Sequence, residues 1–367
     1  MFQKKKISAI IVLLIYIGLC LACFLFPKQS YSYEERRALA KFPKLEGKTI
    51  ADGSFMRDFE TYGLDQFPGR NLFRKGKALW ETKALEKLDT NGYYSSQGYL
   101  SKLEYPYAPK QVDHALERFA YLYHTYLEQA NCQVYMTVIP DKNFFLAKES
   151  ERLYLDYDAF VQQVKDGTTY ANYLDVFPFV SLEGYYRTDT HLKQEGMLPM
   201  AEFLLEQMTG EGTKAEYERV ALDNLFYGVY YGQAALPAKP DELEYLTNDV
   251  LQQCVVTSFS TGKPESASLY NMEKATGKDP YEMFLEGAVP LITIENPTAK
   301  QDRILYFFRD SFGSSLAPLL VEGYSKIVLI DIRYLSSDKV GQFVEFQDGD
   351  VLFAYSTLLL NSSMGLK

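Results

Sequence analysis

The sequence predicts an α/β protein built on a mostly parallel sheet that is flanked by helices. Three apolar runs have the length of strands and no polar face: residues 132–140, 303–308 and 326–335. Strands that are apolar on both sides are typical of parallel sheets covered by helices on both faces. Helical or turn-like segments separate these runs, and such alternation favours a doubly wound layout.

The N-terminal segment predicts a membrane anchor. Three lysines at positions 4–6 precede an apolar run from Ile7 to Phe26, which is about as long as a membrane-spanning helix. The basic residues favour a cytoplasmic N terminus. The alternative is a cleaved signal peptide, but the run is long for one and lacks a clear cleavage site. We therefore expect residues 1–27 to form a single-pass anchor in the cell membrane, with the catalytic domain extracellular.

Two further regions follow the anchor. Residues 28–88 predict a helical stem, because Phe55, Phe59 and Tyr62 keep helical spacing before a break at Pro68. Residues 89–367 predict one large domain. It opens with a tyrosine-rich hairpin, continues with predicted helices at 108–130, 156–166 and 193–208, and ends with a strand at 351–356. The less regular stretch 210–300 predicts an insertion in this domain.

Composition excludes several functions. The net charge of −10 and the absence of a basic stripe argue against a nucleic-acid partner. Three scattered histidines and no cysteine cluster argue against a metal site, and we expect no cofactor. Cys132 and Cys254 lie outside the anchor and could form a disulfide or remain two buried thiols. The 30 tyrosines suit a sugar-binding surface, although strand-rich cores also use them.

Three polar residues predict a catalytic triad. Ser311 follows the apolar run 303–308 where a strand turns into a helix, so helix N–H groups could stabilise an oxyanion beside it. A serine hydroxyl needs a base to become nucleophilic, and histidine is the usual base at neutral pH. Asp189 and His191 are two residues apart, so in an extended segment their side chains project to the same side. We therefore expect Asp189, His191 and Ser311 to converge.

Each half of this constellation also has a simple structural interpretation. An isolated Asp-x-His sequence occurs by chance in many proteins. Asp310 or Ser311 could serve only as the N-cap of the following helix. His114 and His124 lie off the apolar stripe of the helix at 108–130, so we expect them to be solvated.

The motifs resemble a known family. The Asp189-Thr190-His191 and Asp310-Ser311 pairs resemble the SGNH-like extracytoplasmic acetyltransferases of the alginate O-acetylation type, and the chain is more similar to the DHHW family of Gram-positive bacteria. The similarity covers nearly the full chain. Eight stretches occur in the family's order: SYEERRALAKFP, DQFPGR, QGYL, VIPDK, FYGVYYGQAA, DPYEMFLEGAVPLITIEN, RDSFG and DIRYL.

The resemblance implies a fold and residue roles. It implies a rearranged SGNH-hydrolase-like fold and an acyl-serine intermediate, with Ser311 as nucleophile, His191 as base and Asp189 orienting the imidazole. Further residues implied in oxyanion or substrate binding are Gly287, Arg309 and Lys142.

The chain departs from the family pattern in four respects. Thr190 and Leu192 stand where the family motif has His and Trp, and Thr190 matches the alginate-type motif. Arg309 replaces a glycine ahead of the Asp-Ser pair. An asparagine expected near LEGAVP is absent, so backbone N–H groups of Ser311 or Gly287 could form the oxyanion hole.

The resemblance implies an O-acetyltransferase acting on a cell-wall or exopolysaccharide acceptor. A membrane-bound acyltransferase would supply the acetyl groups, and the N-terminal helix would hold the protein at the membrane. Two alternatives remain: an acetyl-esterase on carbohydrate, which uses the same triad with water, and a non-catalytic carbohydrate-binding or assembly protein.

Overall fold

The chain forms two compact units in the computed structural model, which describes residues 2–212 and 215–367. The first unit contains the chain up to Asn91 together with Tyr231–Pro237. The second contains Gly92–Tyr230 and Ala238–Lys367.

The described residues include α-helices of 4 to 24 residues. They are α1 (Phe2–Leu25), α2 (Gly47–Ala51), α3 (Ser54–Asp65), α4 (Arg70–Leu79), α5 (Pro109–Leu122), α6 (Lys142–Leu146), α7 (Tyr157–Gly167), α8 (Leu198–Thr209), α9 (Val229–Ala234), α10 (Asp249–Gln253), α11 (Met272–Ala275), α12 (Phe312–Leu320) and α13 (Thr357–Leu360). The strands are β1 (Tyr31–Ser32), β2 (Arg37–Ala38), β3 (Tyr93–Ser96), β4 (Tyr99–Lys102), β5 (Cys132–Ile139), β6 (Asn172–Tyr173), β7 (Glu218–Phe226), β8 (Asp241–Thr247), β9 (Val255–Ser258), β10 (Glu265–Ala267), β11 (Leu291–Glu295), β12 (Ile304–Arg309), β13 (Lys326–Ile330) and β14 (Gly349–Ser356).

The first unit begins with α1, which covers most of the predicted anchor. Across residues 2–212 and 215–367, no helix combines the length and the apolar character needed to cross a membrane.

Ion pairs organise the interior of the first unit. The guanidinium of Arg37 donates to both carboxylate oxygens of Asp65, at 2.9 and 2.6 Å, and the backbone N–H of Ala40 adds a bond of 2.9 Å. The hydrogen bond from Arg37 lowers the pKa of Asp65 despite its burial. Arg70 pairs with Glu35, so both buried carboxylates in this unit have cationic partners.

The second unit is built on an eight-stranded sheet with the order β10-β9-β11-β13-β12-β14-β5-β6. The pairs β13–β12, β12–β14, β14–β5 and β5–β6 are parallel. The three predicted apolar runs correspond to β5, β12 and β13, and the predicted last strand is β14. The predicted α/β fold with a mostly parallel sheet is therefore confirmed.

The stretch 210–300 contributes to the central sheet as well as to its surroundings. Strands β9, β10 and β11 extend one side of the sheet, and all their pairings are antiparallel. These strands are three to five residues long, and polar residues interrupt their apolar pattern. Because such short runs carry little periodicity, the sequence marks them only as irregular structure.

Helices cover both faces of this sheet. On one face, α8 and α12 pack against Leu305, Phe307 and Leu352. On the other face, α5 and α7 pack against side chains that include Phe308 and Phe353. Neighbouring strand residues alternate between the two layers, as expected of a pleated sheet buried on both sides. Because β12, β14 and β5 are parallel neighbours, their carboxyl ends lie together at the same end of the sheet.

The aromatic cluster on the second face makes a stability prediction. Phe353 is buried, and its ring centroid lies 4.6 Å from Phe308 and 5.1 Å from Phe119. Replacing Phe353 with Ala should lower the free energy of unfolding by about 3–5 kcal/mol, since it leaves a cavity in a packed core. Urea unfolding monitored by circular dichroism measures this loss. The same change at Phe343, which is 46% exposed, should cost much less, and equal losses would contradict this account of the core.

Candidate active site

Ser311 lies at the carboxyl end of β12, in the turn that leads into α12. It occupies the N-cap position of that helix, but its hydroxyl caps no backbone N–H. The carboxylate of Asp310 accepts the N–H of Phe312 at 3.0 Å instead. Its other oxygen accepts the N–H and the hydroxyl of Ser356, at 2.8 and 2.6 Å, from the end of the neighbouring strand β14. Asp310 therefore fixes the turn, and the Ser311 hydroxyl remains available for another partner.

Asp189 and His191 lie in a short loop, residues 185–192, whose ends are held together; it is called the catalytic loop here after its predicted role. Tyr185 and Leu192 form an isolated antiparallel bridge across it. The backbone of Gly184 and Gly196 meets so closely below this bridge that a Cβ on Gly196 would lie 2.5 Å from the Gly184 Cα. The loop is thus closed at its base, which limits the positions that its polar side chains can take.

The three predicted residues converge. The Asp189 Oδ1 lies 2.6 Å from the His191 Nδ1, and the His191 Nε2 lies 2.8 Å from the Ser311 Oγ, across 120 positions of sequence. The second Asp189 oxygen accepts the N–H of Val229 at 2.8 Å. Asp189 is fully buried, whereas Ser311 is partly exposed. This arrangement matches the carboxylate, imidazole and hydroxyl order of a serine nucleophile with its base.

Tyr281 and Phe312 enclose the imidazole. The Tyr281 ring is stacked on His191 with 3.7 Å between centroids and 5° between planes, and the Phe312 centroid lies at 5.0 Å. The Tyr281 hydroxyl is 2.7 Å from the Ser315 Oγ and also donates to the carbonyl of Ser311 at 3.4 Å. Burial raises the pKa of Tyr281, so this hydroxyl remains protonated. The stacked Tyr281 ring holds the plane of the His191 imidazole in place.

Tyr281 belongs to a small separate core that the sequence did not predict. This core combines Tyr186 from the start of the catalytic loop with Phe226 and Leu243 from the hairpin β7–β8, and with Phe284. Tyr281 lies in the stretch DPYEMF, which carried the family resemblance without a role for any one residue. Part of the region 210–300 therefore holds the imidazole of His191 in place.

The backbone N–H of Ser311 was one of the two predicted oxyanion donors. Among the described residues it has no hydrogen-bond partner. Gly287, the other predicted donor, is already occupied, since its N–H donates to the carbonyl of Phe284 at 3.1 Å. An unpaired N–H at a helix N-terminus can stabilise negative charge that develops on a nearby oxygen.

Arg309 is a buried support rather than an open binding group. It is only 1% exposed, and it donates to the carbonyl of Gly287 at 3.4 Å and approaches Asp331 at 3.6 Å. Burial lowers its pKa. Gly313 fits directly above it, because a Cβ there would lie 2.5 Å from the Arg309 Cβ. Arg309 therefore packs behind the Ser311 turn, where a bulky residue could replace the family's glycine.

Lys142 lies behind the catalytic loop. Its ammonium donates to the carbonyls of Tyr186 and Arg187, at 2.9 and 3.3 Å, and lies 4.9 Å from the ring centroid of Tyr230. It is 2% exposed, and burial lowers its pKa to about 7. Its position therefore fits a group that holds the loop backbone, not one that contacts a substrate.

Two more contacts fix the catalytic loop. The Tyr230 hydroxyl donates to Thr190 at 3.0 Å. Asp241 accepts the backbone N–H groups of Arg187 and Thr188, at 2.7 and 2.8 Å. No sequence motif marked Asp241, because its role depends on a hairpin that lies 53 and 54 residues further along the chain than its two partners. Leu192, which stands where the DHHW motif has Trp, is fully buried in the core and forms no wall of an open site.

The remaining sequence candidates contribute no further site. In the described part of the chain, no group of three or more His, Cys, Asp or Glu side chains could hold a metal ion. Cys132 and Cys254 are free thiols. His124 is exposed, and His114 is half-buried with its Nδ1 at 3.1 Å from the Ser363 hydroxyl.

Comparison with solved structures identifies similar folds. A DHHW family protein from Eubacterium siraeum matches 76% of this chain and 95% of its own, with a TM-score of 0.60 and 18% identity. The structure of Bacillus cereus PatB1 with a sulfonyl adduct matches 73% and 95%, with a TM-score of 0.57 and 19% identity. The O-acetyltransferase domain of Pseudomonas putida AlgJ matches 74% and 92%, with a TM-score of 0.46 and 14% identity.

The sequence itself matches no known family model and no curated protein. The resemblance found in the motifs is nevertheless confirmed at the level of the fold, since the first two structures cover most of both chains.

Gly228 tests the support of the triad. A Cβ on this residue would lie 2.2 Å from the Asp189 Cβ and 2.5 Å from its backbone N, so Gly228→Ala must displace Asp189. Since displacement of about 1 Å can cost 10²-fold in rate, we expect Ser311 to react about 10²-fold more slowly with phenylmethylsulfonyl fluoride. Mass spectrometry of the modified peptide gives the rate. Gly63→Ala, at a site with open space, is the control; unchanged reactivity in Gly228→Ala would refute the proposed support.

Lys142 makes a pH-dependence prediction. Burial lowers its pKa from 10.5 to about 7, so between these values the unfolded chain binds a proton that the folded chain lacks. Stability from this group therefore rises with pH in that window, by up to about 1.4 kcal/mol per pH unit. Urea unfolding from pH 7 to 10 should show that Lys142→Met loses this rise, while Lys148→Met at an exposed position keeps it. Parallel pH curves for wild type and Lys142→Met would contradict the prediction.

Proposed function

We propose that the protein is an O-acetyltransferase that forms an acyl-serine at Ser311 and transfers the acetyl group to a polysaccharide hydroxyl. The observation that carries the proposal is the hydrogen-bonded chain from Asp189 through His191 to Ser311. Beside it lies the Ser311 N–H, which has no partner in the described part of the chain. The sequence resemblance supports acetyl transfer to a carbohydrate as the reaction.

The geometry supports a two-step reaction. In the first step the Ser311 Oγ attacks the acetyl carbonyl, and the His191 Nε2 takes the hydroxyl proton. The Ser311 N–H stabilises the tetrahedral oxyanion, which collapses when the bond to the leaving group breaks and His191 returns the proton to it. In the second step His191 removes a proton from an acceptor hydroxyl, which attacks the acyl-serine; as the Oγ–acyl bond breaks, His191 returns that proton to the Ser311 Oγ. Asp189 stabilises the imidazolium in both steps.

Tyrosines near the triad support a carbohydrate acceptor. Tyr93 is half-buried, and its ring centroid lies 5.1 Å from Tyr230, whose hydroxyl binds Thr190. Tyr227, which is 39% exposed, directly precedes the glycine packed against Asp189. Each offers an apolar ring with a polar tip, a combination that suits the faces and hydroxyl groups of sugars.

The proposed cellular setting rests on the sequence. The lysines at 4–6 and the apolar run Ile7–Phe26 support an N-terminal anchor in the cell membrane, with the catalytic unit extracellular. A membrane-bound acyltransferase would then deliver acetyl groups at the membrane face, as the family resemblance implies.

Ester hydrolysis is the second candidate reaction, and one observation favours it. Ser311 is partly exposed, so water can reach the acyl-serine and replace the carbohydrate hydroxyl. A purified chain incubated with 4-nitrophenyl acetate and chitopentaose separates the two reactions. Acetylated oligosaccharide indicates transfer, and free acetate in its place indicates hydrolysis. If the full chain binds sugars but never acquires an acetyl group, a binding protein is the better account.

Ser311→Ala should reduce turnover of 4-nitrophenyl acetate by about 10⁴-fold or more, because it removes the nucleophile. Wild type should also gain one acetyl group on Ser311, detected by mass spectrometry. Ser314→Ala is a matched control, since the buried Ser314 hydroxyl has no hydrogen-bond partner among the described residues. Both variants should melt near wild type. Equal turnover in wild type and Ser311→Ala would exclude Ser311 as the nucleophile.

A further inference from the structure

Helix α4 in the first unit exposes its apolar side. Leu72 is 75% exposed, Phe73 58%, Leu79 43% and Trp80 63%. These four residues, here called the outward face, have the spacing i, i+1, i+7 and i+8, which places them on one side of a helix. The π-helical turn Trp80–Ala84 continues α4 without a break, so Trp80 extends the same side.

The opposite side of α4 is charged and faces the interior. The side chains of Arg70 and Arg74 are each 16% exposed, and both pair with the carboxylate of Glu35. Ala78, one turn further along, is fully buried. The polarity of α4 is therefore the reverse of a normal surface helix, whose apolar side packs on the core and whose charged side meets water.

This reversal leaves a contiguous apolar stripe on the surface of the unit. Exposed apolar residues scattered singly need no explanation, but a contiguous stripe of large ones on one helix marks an interaction surface. The charges around it indicate what kind of surface it meets. Arg70 and Arg74 are paired inside with Glu35, so the charge near the face comes from residues 75–88. These contain four lysines and two glutamates, a net charge of +2, although the whole chain carries −10.

Lysines border the outward face. Lys77 and Lys87 are 57% and 52% exposed and share Glu81 as an ion-pair partner, at 3.7 and 2.9 Å. Such exposed pairs are weak enough for a lipid phosphate to replace the carboxylate. Lys83 is exposed as well. Protein interfaces are depleted in lysine. In contrast, helices that lie in a membrane interface combine Leu, Phe and Trp on one side with flanking Lys and Arg, which attract anionic headgroups. A membrane surface therefore fits this face better than a protein partner does.

We propose that the outward face of α4 lies in the interfacial layer of a membrane that contains anionic lipids. Trp80, Phe73 and the two leucines enter the boundary between headgroups and acyl chains, and Lys77, Lys83 and Lys87 contact lipid phosphates. The chain reaches this helix only 44 residues after the apolar run that predicts an anchor, which ends at Phe26. The inference is independent of the acetyl-transfer reaction, because it concerns lipid contact by the first unit.

Trp80 provides the measurement, since it is the single tryptophan in the chain. The full chain is reconstituted into vesicles of phosphatidylcholine and phosphatidylglycerol, with bromine carried either near the headgroup or at the acyl terminus. We expect Trp80 emission to shift to shorter wavelength, with quenching strongest for bromine near the headgroup. Aqueous acrylamide should quench Trp80 emission less in the vesicles than in the chain unfolded in urea.

Paired variants separate lipid contact from simple tethering. Leu72→Gln with Phe73→Gln should lose most of the bromine quenching while the chain still floats with the vesicles. Leu225→Gln, at a position 71% exposed in the second unit, should leave the quenching unchanged. Replacing phosphatidylglycerol with phosphatidylcholine should weaken the quenching, because the lysines lose their anionic partners.

Other results would overturn the proposal. Trp80 that stays accessible to acrylamide and unquenched by brominated lipid, in vesicles holding the full chain, would show that lipid does not cover the outward face. Trp80 could instead be protected from acrylamide while its emission stays the same in vesicles with and without bromine. That result would indicate that a second copy of the chain, and not lipid, covers the outward face. Acetyl-ester turnover, measured on the same samples, reports on Ser311 separately.

Discussion

The hydrogen bond between Asp189 and His191 depends on a carboxylate that is held without access to water. Burying an ionised carboxylate is unfavourable unless its oxygens are satisfied. Here one oxygen faces the imidazole, and the other accepts the N–H of Val229 at the start of α9. The glycine before Val229 allows this approach, because any side chain there would overlap Asp189. The triad thus requires that the segment after the hairpin strand β7 lie directly against the catalytic loop.

The same requirement explains why the region 210–300 is more than an addition to the sheet. Its hairpin supplies Asp241, which binds the loop backbone, and its later part supplies Tyr281, which stacks on the imidazole. His191 is thereby fixed from three directions: by Asp189 through a hydrogen bond, by Tyr281 above its plane, and by Phe312 at its side. Interactions from distant segments are needed because the loop itself is short and has no regular secondary structure.

The sequence allowed the fold class and the three central polar residues to be predicted, because both leave strong local signals. β5, β12 and β13 are continuous apolar runs, and Ser311 follows one of them at a turn.

Tyr281, Asp241 and the antiparallel strands β9–β11 left no such signal, since their roles arise only from contacts across the fold. The resemblance implied Gly287, Arg309 and Lys142 as binding groups. The N–H of Gly287 instead donates to a backbone carbonyl, and Arg309 and Lys142 are buried and donate to backbone carbonyls. The sequence also did not show that α4 exposes its apolar side. Periodicity shows that a helix has an apolar and a charged side, but not which of them faces the interior.

Enclosure of the imidazole also constrains the order of events in the proposed reaction. The Nδ1 is committed to Asp189 and the ring is stacked at 3.7 Å, so the ring cannot turn over between steps. One nitrogen must therefore both collect and return every proton. The group that leaves with the first proton and the hydroxyl that gives up the second must occupy the same place in turn. Donor and acceptor would then compete for one binding position beside the Nε2. Steady-state rates would follow ping-pong kinetics, with substrate inhibition by whichever of the two is in excess.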